Sequence, residues 1–264
     1  MNDLQIHLAF ADRAPIGAEW NTRDIRSTFW RFYINSRDGA AIWYAGGKYL
    51  LPAGRIHLIP AYLKFSCQNT ARLQNLYVHF DLLGITPILQ QQLFPKPISL
   101  PLTATARRLC RLFEAGRLPQ SCPVSLCLTH ATLLHSMGET IEALPAAARE
   151  RLQSAFALPD PLSAALGLVE QRLPQPVSVQ EMANACHFSP DYFARKFFHL
   201  MGQTPARYVL QRRIGLTARK LLYGLDSIET IAQRHGFANR FHFTRAFRRE
   251  MGTTPAAYRK SPRV

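Results

Sequence analysis

Arg240, Phe241, Thr244, Arg245 and Arg248 recur along one side of a short segment, while Phe243 and Phe247, four residues apart, take the other side. At helical spacing this sets guanidinium groups, a hydroxyl and an aromatic ring on an outward face above an apolar stripe. Guanidinium forks match the O6 and N7 acceptors of guanine and also phosphate oxygens, so the chemistry on offer is recognition of a nucleic acid. No phosphate-cradling Gly loop, Gly-x-Ser-x-Gly elbow or prominent pair of carboxylates accompanies them. The expectation is a binding protein, not an enzyme, with no cofactor.

These side chains need a rigid frame, and the flanking residues supply one. Asp226 with Glu229 has the form of a capping box and opens a helix carrying Ile228, Ile231 and Ala232. Gly236 offers the positive φ that a tight helix-to-helix turn requires, and Asn239 can cap the next helix. A helix, a Gly turn and a second helix with a basic face is the pattern of a helix-turn-helix DNA reader.

The pattern occurs twice. Ser178 and Glu181 form a second capping box, and Ser189 with Pro190 opens a helix whose Phe193 and Phe197 recur as Phe243 and Phe247. Gly202, Thr204, Pro205 and Tyr208 likewise return fifty residues on as Gly252, Thr254, Pro255 and Tyr258, so the unit is duplicated. Between the copies, Leu210, Ile214, Thr217 and Leu221 stripe one face of a helix running from Thr204 to Gly224. At roughly 1.5 Å per residue that helix is about 28 Å long. Successive major-groove faces of B-DNA are ~34 Å apart, so such a rod could hold both readers on one side of a duplex.

With its weaker upstream copy, the run Ile231-Ala232, Gly236-Phe237, Phe243, Arg245, Phe247, Gly252, Thr254-Pro255 and Tyr258-Arg259 resembles the C-terminal DNA-binding domain of the AraC/XylS family of bacterial transcription regulators. The resemblance covers Asp160 to Val264 and implies two helix-turn-helix units on a linker helix, each inserting its second helix into an adjacent major-groove segment. Carried over by position, the base-reading places are Asp191, Ala194 and Arg195 in the first unit and Arg240, Phe241, Thr244 and Arg245 in the second. Lys196, Arg212, Arg213, Arg248 and Arg249 are expected to hold the DNA backbone, with Ser189 and Asn239 beside them. Two departures stand out. His187 sits at the first turn where the second has Gly236, and Ala194 is too short to hydrogen-bond a base edge, so the first unit should read less by hydrogen bonds than the second.

Charge agrees with a polyanionic partner. Of a formal net charge of +15, residues 160–264 hold 16 Lys or Arg against 7 Asp or Glu, while the longer first part holds 16 against 10. The five cysteines are odd in number and irregular in spacing, which suggests reduced thiols. With no secretory signal or apolar run long enough for a bilayer, a cytoplasmic bacterial protein without membrane contact is expected.

The first part reads differently. Residues 1–27 look like an arm with one short strand, and from Thr28 short β-rich runs follow one another, separated by signals such as Arg37-Asp38-Gly39, Gly46-Gly47 and Pro52-Ala53-Gly54. An antiparallel barrel or double-sheet roll fits them. The stretch from Leu50 to Cys67 with Leu76–Leu82 resembles the cupin-like effector domain that precedes the DNA-binding part in many members of the family. The fold class expected is thus α+β: a cupin-like antiparallel β-barrel with helices over 1–159, then an all-α double helix-turn-helix over 160–264.

Within the barrel, Trp30, Tyr33, Trp43, Tyr44 and Tyr49 could line a pocket for a sugar or an aromatic acid. Arg31, Lys48, Arg55 and Lys64 could meet an anionic one. His57 and His79 lie too far apart in sequence for a metal cupin, and Cys122, Cys127, His130 and His135 cannot all face one ion from a single helix, so no metal is expected. The segment after Pro87 reads as helices, among them a stripe of Leu102, Ala106, Leu109 and Phe113; by resemblance these pair two subunits, the alternative being that they only cap the barrel. The reading as a whole is a DNA-binding regulator, expected to be an activator, with double-stranded DNA, RNA polymerase, a small-molecule effector and a second copy as partners. The alternatives are a regulator without an effector, or governed by a protein partner, and a cupin enzyme fused to a DNA reader.

Overall fold

The computed structural model describes residues 4–157, 162–201 and 203–260. The boundary expected between 159 and 160, Gly202 and the last four residues lie outside them. The chain forms two compact units, one built from residues 4–85 and Leu89–Ala155, the other from Thr86–Ile88 and the described residues after Ala155.

The first unit holds two antiparallel sheets. Strands β1 (Gln5–Ile16), β8 (Leu73–Leu83), β3 (Trp30–Asn35), β6 (Arg55–Ile59) and β9 (Ile98–Pro101) form one, and β2 (Thr22–Ile25), β7 (Phe65–Asn69), β4 (Ala40–Tyr44) and β5 (Gly47–Leu50) the other. The sheets do not hydrogen-bond into a closed barrel, which corrects the barrel expected from the strand spacing; they face each other across a core of Trp20, Tyr33, Ile42 and Phe65. The supposed arm is also corrected. β1 pairs with β8 from Gln5↔Leu83 to Ile16↔Leu73, with an irregularity at Leu8/Phe10. Most of β1 is half-buried, so the alternation that betrays a strand is blurred.

Helices α1 (Pro87–Leu93), α2 (Ala104–Glu114), α3 (Pro123–Glu142) and α4 (Ala146–Ala157) follow along the chain, with β9 between α1 and α2. Thr103 caps α2, which buries Ala106, Leu109 and Phe113, three of the four residues of the expected stripe. β9, inserted between α1 and α2, went unread because its four residues are bracketed by Pro95, Pro97 and Pro101.

The second unit is helical: α5 (Ser163–Arg172), α6 (Val179–Ala185), α7 (Pro190–Met201), α8 (Pro205–Tyr223), α9 (Ile228–Arg234), α10 (Arg240–Met251) and α11 (Pro255–Arg259). Its two cores are near copies. Phe193 and Phe197 lie 5.5 Å apart between ring centroids and Phe197 meets Tyr208 at 5.7 Å; Phe243 and Phe247 lie 5.5 Å apart and Phe247 meets Tyr258 at 5.2 Å. All four phenylalanines are fully buried. Each such ring removes about 150–250 Å² from water, so these stacks supply much of the apolar stabilisation of a small helical unit. α8 begins at the Thr204 cap and Pro205 and ends at Gly224, with Ile214, Thr217 and Leu221 buried beneath it.

Candidate nucleic-acid interface

Capping geometry sets the two helix pairs. Ser178 and Glu181 make the reciprocal box: the Ser178 hydroxyl accepts from the Glu181 N–H at 3.2 Å, and the Glu181 carboxylate accepts from the Ser178 N–H at 2.8 Å. The N–H and hydroxyl of Ser178, then Arg172, hold the Glu181 pKa down at about 2. In the second pair the cap of α9 is Ser227, which accepts from the Thr230 N–H at 3.0 Å, and not Asp226 as expected. Asp226 binds Arg234 at 3.0 Å instead, and its carbonyl accepts from Arg259. Asn239 caps α10 through the His242 N–H at 2.8 Å.

The turns differ in one residue. Gly236 has φ 69°, and a Cβ there would come within 2.8 Å of Pro176 Cδ and 3.1 Å of Arg213 Nη2. The equivalent place in the first pair is His187, with φ 56°. An L-residue in this region carries a conformational cost of about 1–2 kcal/mol.

On α10, Phe243, Ala246, Phe247 and Met251 point inward and Arg240, Phe241, Arg245, Arg248 and Arg249 are exposed, with Thr244 half-buried between them. Phe241 is 78% exposed, an unusual position for a ring that has no partner to cover it. Among the described residues no carboxylate pairs with Arg240, Arg245 or Arg248, while Arg249 lies 3.4 Å from Glu250. The outward face therefore carries nearly uncompensated positive charge, and the arginine side is not packed inward.

α7 is weaker in the same role. Asp191, Arg195 and Ser189 are exposed and Ala194 and Lys196 half-buried. Lys196 donates to the Tyr192 hydroxyl at 3.1 Å and sits over the rings of Tyr192 and Phe188, 5.3 and 5.6 Å from their centroids. Exposed Tyr192, Phe198 and Leu200 give this helix an apolar character that the alignment of the two copies did not reveal, because the residues facing outward differ between them.

Two residues expected on the DNA backbone are engaged elsewhere. Arg213 is only 8% exposed: its Nε and Nη2 both donate to the His235 carbonyl, at 3.0 and 2.6 Å, and its guanidinium stacks on Phe237 at 4.4 Å. Burial lowers its pKa. Arg212 is held by Glu170 through two hydrogen bonds of 2.7 and 2.8 Å. Both arginines bolt α8 to its neighbours, which their position on a basic helix did not disclose.

The aromatic pocket expected in the first unit is not formed as a group. Trp30 and Tyr33 are both fully buried but point to opposite faces of β3: Trp30 donates to Gln90 at 2.8 Å and packs on Phe94, whereas Tyr33 meets Trp20 in the space facing the other sheet. Trp43 is 45% exposed beneath Lys48, Tyr44 is half-buried, and Tyr49 meets His57 edge-on at 6.0 Å. Burial lowers the His57 pKa, and its Nε2 faces the Pro52 carbonyl at 2.8 Å. Among the described residues no group of three or more His, Cys, Asp or Glu is placed to hold a metal ion, and no helix is long and apolar enough to cross a membrane.

A family model described as a helix-turn-helix domain matches residues 182–261. The regulatory protein SoxS of Salmonella typhimurium is 33% identical over 91 residues, which is 34% of this chain and 85% of SoxS. A putative AraC-like transcription regulator of Streptomyces antibioticus is 36% identical over 85 residues, 32% of this chain and 28% of that protein. The chain spans about a third of the length of several such curated relatives. Among solved structures, ToxT of Vibrio cholerae O395 bound to (E)-4-(8-methylnaphthalen-1-yl)but-3-enoic acid shares the fold over 97% of this chain and 98% of its own, with a TM-score of 0.55 at 13% identity. The repeated helix pairs, their caps and the SoxS match together place this chain in the AraC/XylS family of transcription regulators, to which it belongs.

Proposed function

We propose that the protein regulates transcription by binding double-stranded DNA, with α10 reading base edges in one major-groove segment and α7 positioned in the next. The observation that carries this is the outward face of α10, where Arg240, Arg245 and Arg248 stand exposed and unneutralised around Phe241 and Thr244. Arg240 and Arg245 would offer forks to guanine, and Phe241 an apolar contact to a thymine methyl. Arg195 would do the same from α7, with Ser189, Lys196, Asn239, Arg248 and Arg249 at the phosphates. The unit from 160 onward serves as the reader and the part before it as the effector-binding and pairing domain. Footprinting on DNA upstream of the neighbouring genes tests this. Protection of two adjacent segments on one face of the duplex is expected; protection of one segment only, or none, contradicts it.

Control is assigned to a small molecule held in the first unit, with activation through RNA polymerase as the outcome. The fold shared with ToxT, which binds a carboxylic acid, supports an effector role for a unit of this shape. α3 supports pairing of two copies: it buries small polar residues such as Ser125, Thr129 and Ser136 and leaves Val124, Leu126 and Leu134 exposed. A rival reading, control by a protein partner, draws on the dense packing of Trp20, Trp30, Phe32 and Tyr33 within this unit. Ligand-dependent thermal stabilisation separates the two. A ligand at one hundred times its dissociation constant adds about 2.7 kcal/mol to stability.

A further inference from the structure

Arg213, in the middle of α8, ties the two helix pairs together at one point. It is 8% exposed, and its Nε and Nη2 both donate to the His235 carbonyl, at 3.0 and 2.6 Å. His235 is the C-cap of α9, and a helix end leaves such carbonyls without an intrahelical partner, so the fork closes the turn that leads into α10. The guanidinium also stacks on Phe237 at 4.4 Å, and Phe237 packs 4.9 Å from Phe243 on the inner stripe of α10. Arg213 therefore bears on α10 from its inner side.

The first pair reaches the same point. A Cβ at Gly236 would lie 2.8 Å from Pro176 Cδ, 3.1 Å from Arg213 Nη2 and 3.6 Å from Gln175 Oε1. Gln175 and Pro176 belong to the segment that enters α6, just ahead of the Ser178 cap. Turn, arginine and entry segment thus meet within the reach of one side chain. The neighbours of Arg213 on α8 complete the tie: Gln211 donates to Glu250 of α10 at 3.0 Å, and Arg212 to Glu170 of α5. Counting back forty-nine residues, the offset that sets Ala183 beside Ala232, puts Ala164 in the place of Arg213. Ala164 is exposed and has no donor on its side chain, so the first turn, at exposed His187, lacks this fork. The lock belongs to the joint between the pairs and not to the repeated unit.

We propose that Arg213 is a positioning residue that fixes the spacing between the two DNA segments the protein accepts, acting through the turn and the entry segment it joins and not by touching DNA. One base pair inserted between two segments moves the second by ~3.4 Å along the duplex and turns it by roughly 35°. A rigid joint cannot follow that step, so only one spacing satisfies both helix pairs. Without the fork the joint can give. Stability alone is a poor reason to keep a buried guanidinium, since an apolar side chain of similar length often serves as well, whereas a role in setting register accounts for it. The proposal rests on the reading of α7 and α10 as readers of adjacent segments.

The experiment selects duplexes from a random pool with the full-length parent, Arg213→Met and Arg213→Lys, then titrates each protein by anisotropy on the parent's best duplex with and without one inserted base pair. Methionine keeps the stem and lysine keeps the charge, but neither offers the planar fork. The parent should enrich two motifs at one spacing and lose about tenfold or more in affinity on the inserted duplex. Both variants should enrich the motif read by α10 with the other motif at several spacings, and lose less than about threefold on insertion. Folded variants that keep the single spacing and the parent's full penalty overturn the proposal. So does a salt slope flattened by about one in Arg213→Met and not in Arg213→Lys, which would place Arg213 on a phosphate. If one variant fails to fold the other decides; if both fail, Arg213 is structural only and the proposal falls. A parent that enriches no motif, or a single one, defeats the two-segment reading by itself, so that failure is distinct from one seen only in the variants.

Discussion

The two helix pairs of the second unit have nearly the same interior and different exteriors. Phe193 and Phe197 repeat as Phe243 and Phe247 with the same 5.5 Å spacing, and both pairs close on a tyrosine from the segment that follows, Tyr208 or Tyr258. Outside, α10 shows four exposed arginines, whereas α7 shows Arg195, a lysine folded back on aromatic rings and an acidic residue at its start. After duplication, packing constrained the cores and left the surfaces to diverge. We infer that specific reading is concentrated in the second pair, with the first contributing position and apolar contact.

The largest effect that can test this symmetry lies in the cores. Phe247→Ala and Phe197→Ala should each destabilise the helical unit by about 3–5 kcal/mol, since each deletes a fully buried ring, and chemical denaturation measures both. A loss confined to one of them would break the equivalence. On the exteriors the pairs should part. Arg245→Ala should weaken binding to a cognate site by about 1–3 kcal/mol and relax selection at one base position, while Arg195→Ala should cost less. Equal costs in a titration on cognate and scrambled duplexes would contradict base reading by Arg245.

A smaller contrast sits in the turns. Gly236→Ala should destabilise by at least about 1–2 kcal/mol, because it adds a side chain at φ 69° against Pro176 and Arg213. His187→Gly at the matching place should be neutral or stabilise by up to ~1 kcal/mol, since it removes the same strain at the expense of unfolded-state entropy. The smallest effect separates the caps by pH. Glu181 titrates at about 2 in the folded chain against 4.5 without its partners. A depressed carboxyl supports the fold above pH 4.5, and that support is lost as pH falls from there towards 2. Glu181→Gln should thus narrow the stability gap to the parent on acidification; a gap that widens would reverse the assignment.

Much of the second unit was legible because its signals are local. Ser178, Asn239, Thr204-Pro205 and Thr254-Pro255 mark helix starts within a few residues, and Gly236 and Gly252 mark ends at positive φ. Where two cap residues adjoin, as at Asp226 and Ser227, local rules leave the choice to a distant partner, here Arg234 and Arg259. The fate of Arg213 was illegible for the same reason, since its carbonyl partner lies 22 residues away. In the first unit the six strands from β3 to β8 were readable from β-rich runs between turns. The half-buried β1, the proline-bracketed β9 and the opposite facing of Trp30 and Tyr33 depend on sheet pairings remote in sequence.

The central claim is that the arginine face of α10 lies on DNA. Fluorescence anisotropy of the full chain on a labelled duplex across a salt series tests it directly and needs no knowledge of the target site. Each phosphate-neutralising arginine contributes roughly one to the slope of log affinity against log salt, so removing Arg245 and Arg248 together should flatten the slope by about 2 if both meet phosphate, or by about 1 if Arg245 spends its fork on a base. An unchanged slope in the double variant, with the fold intact, would contradict the account.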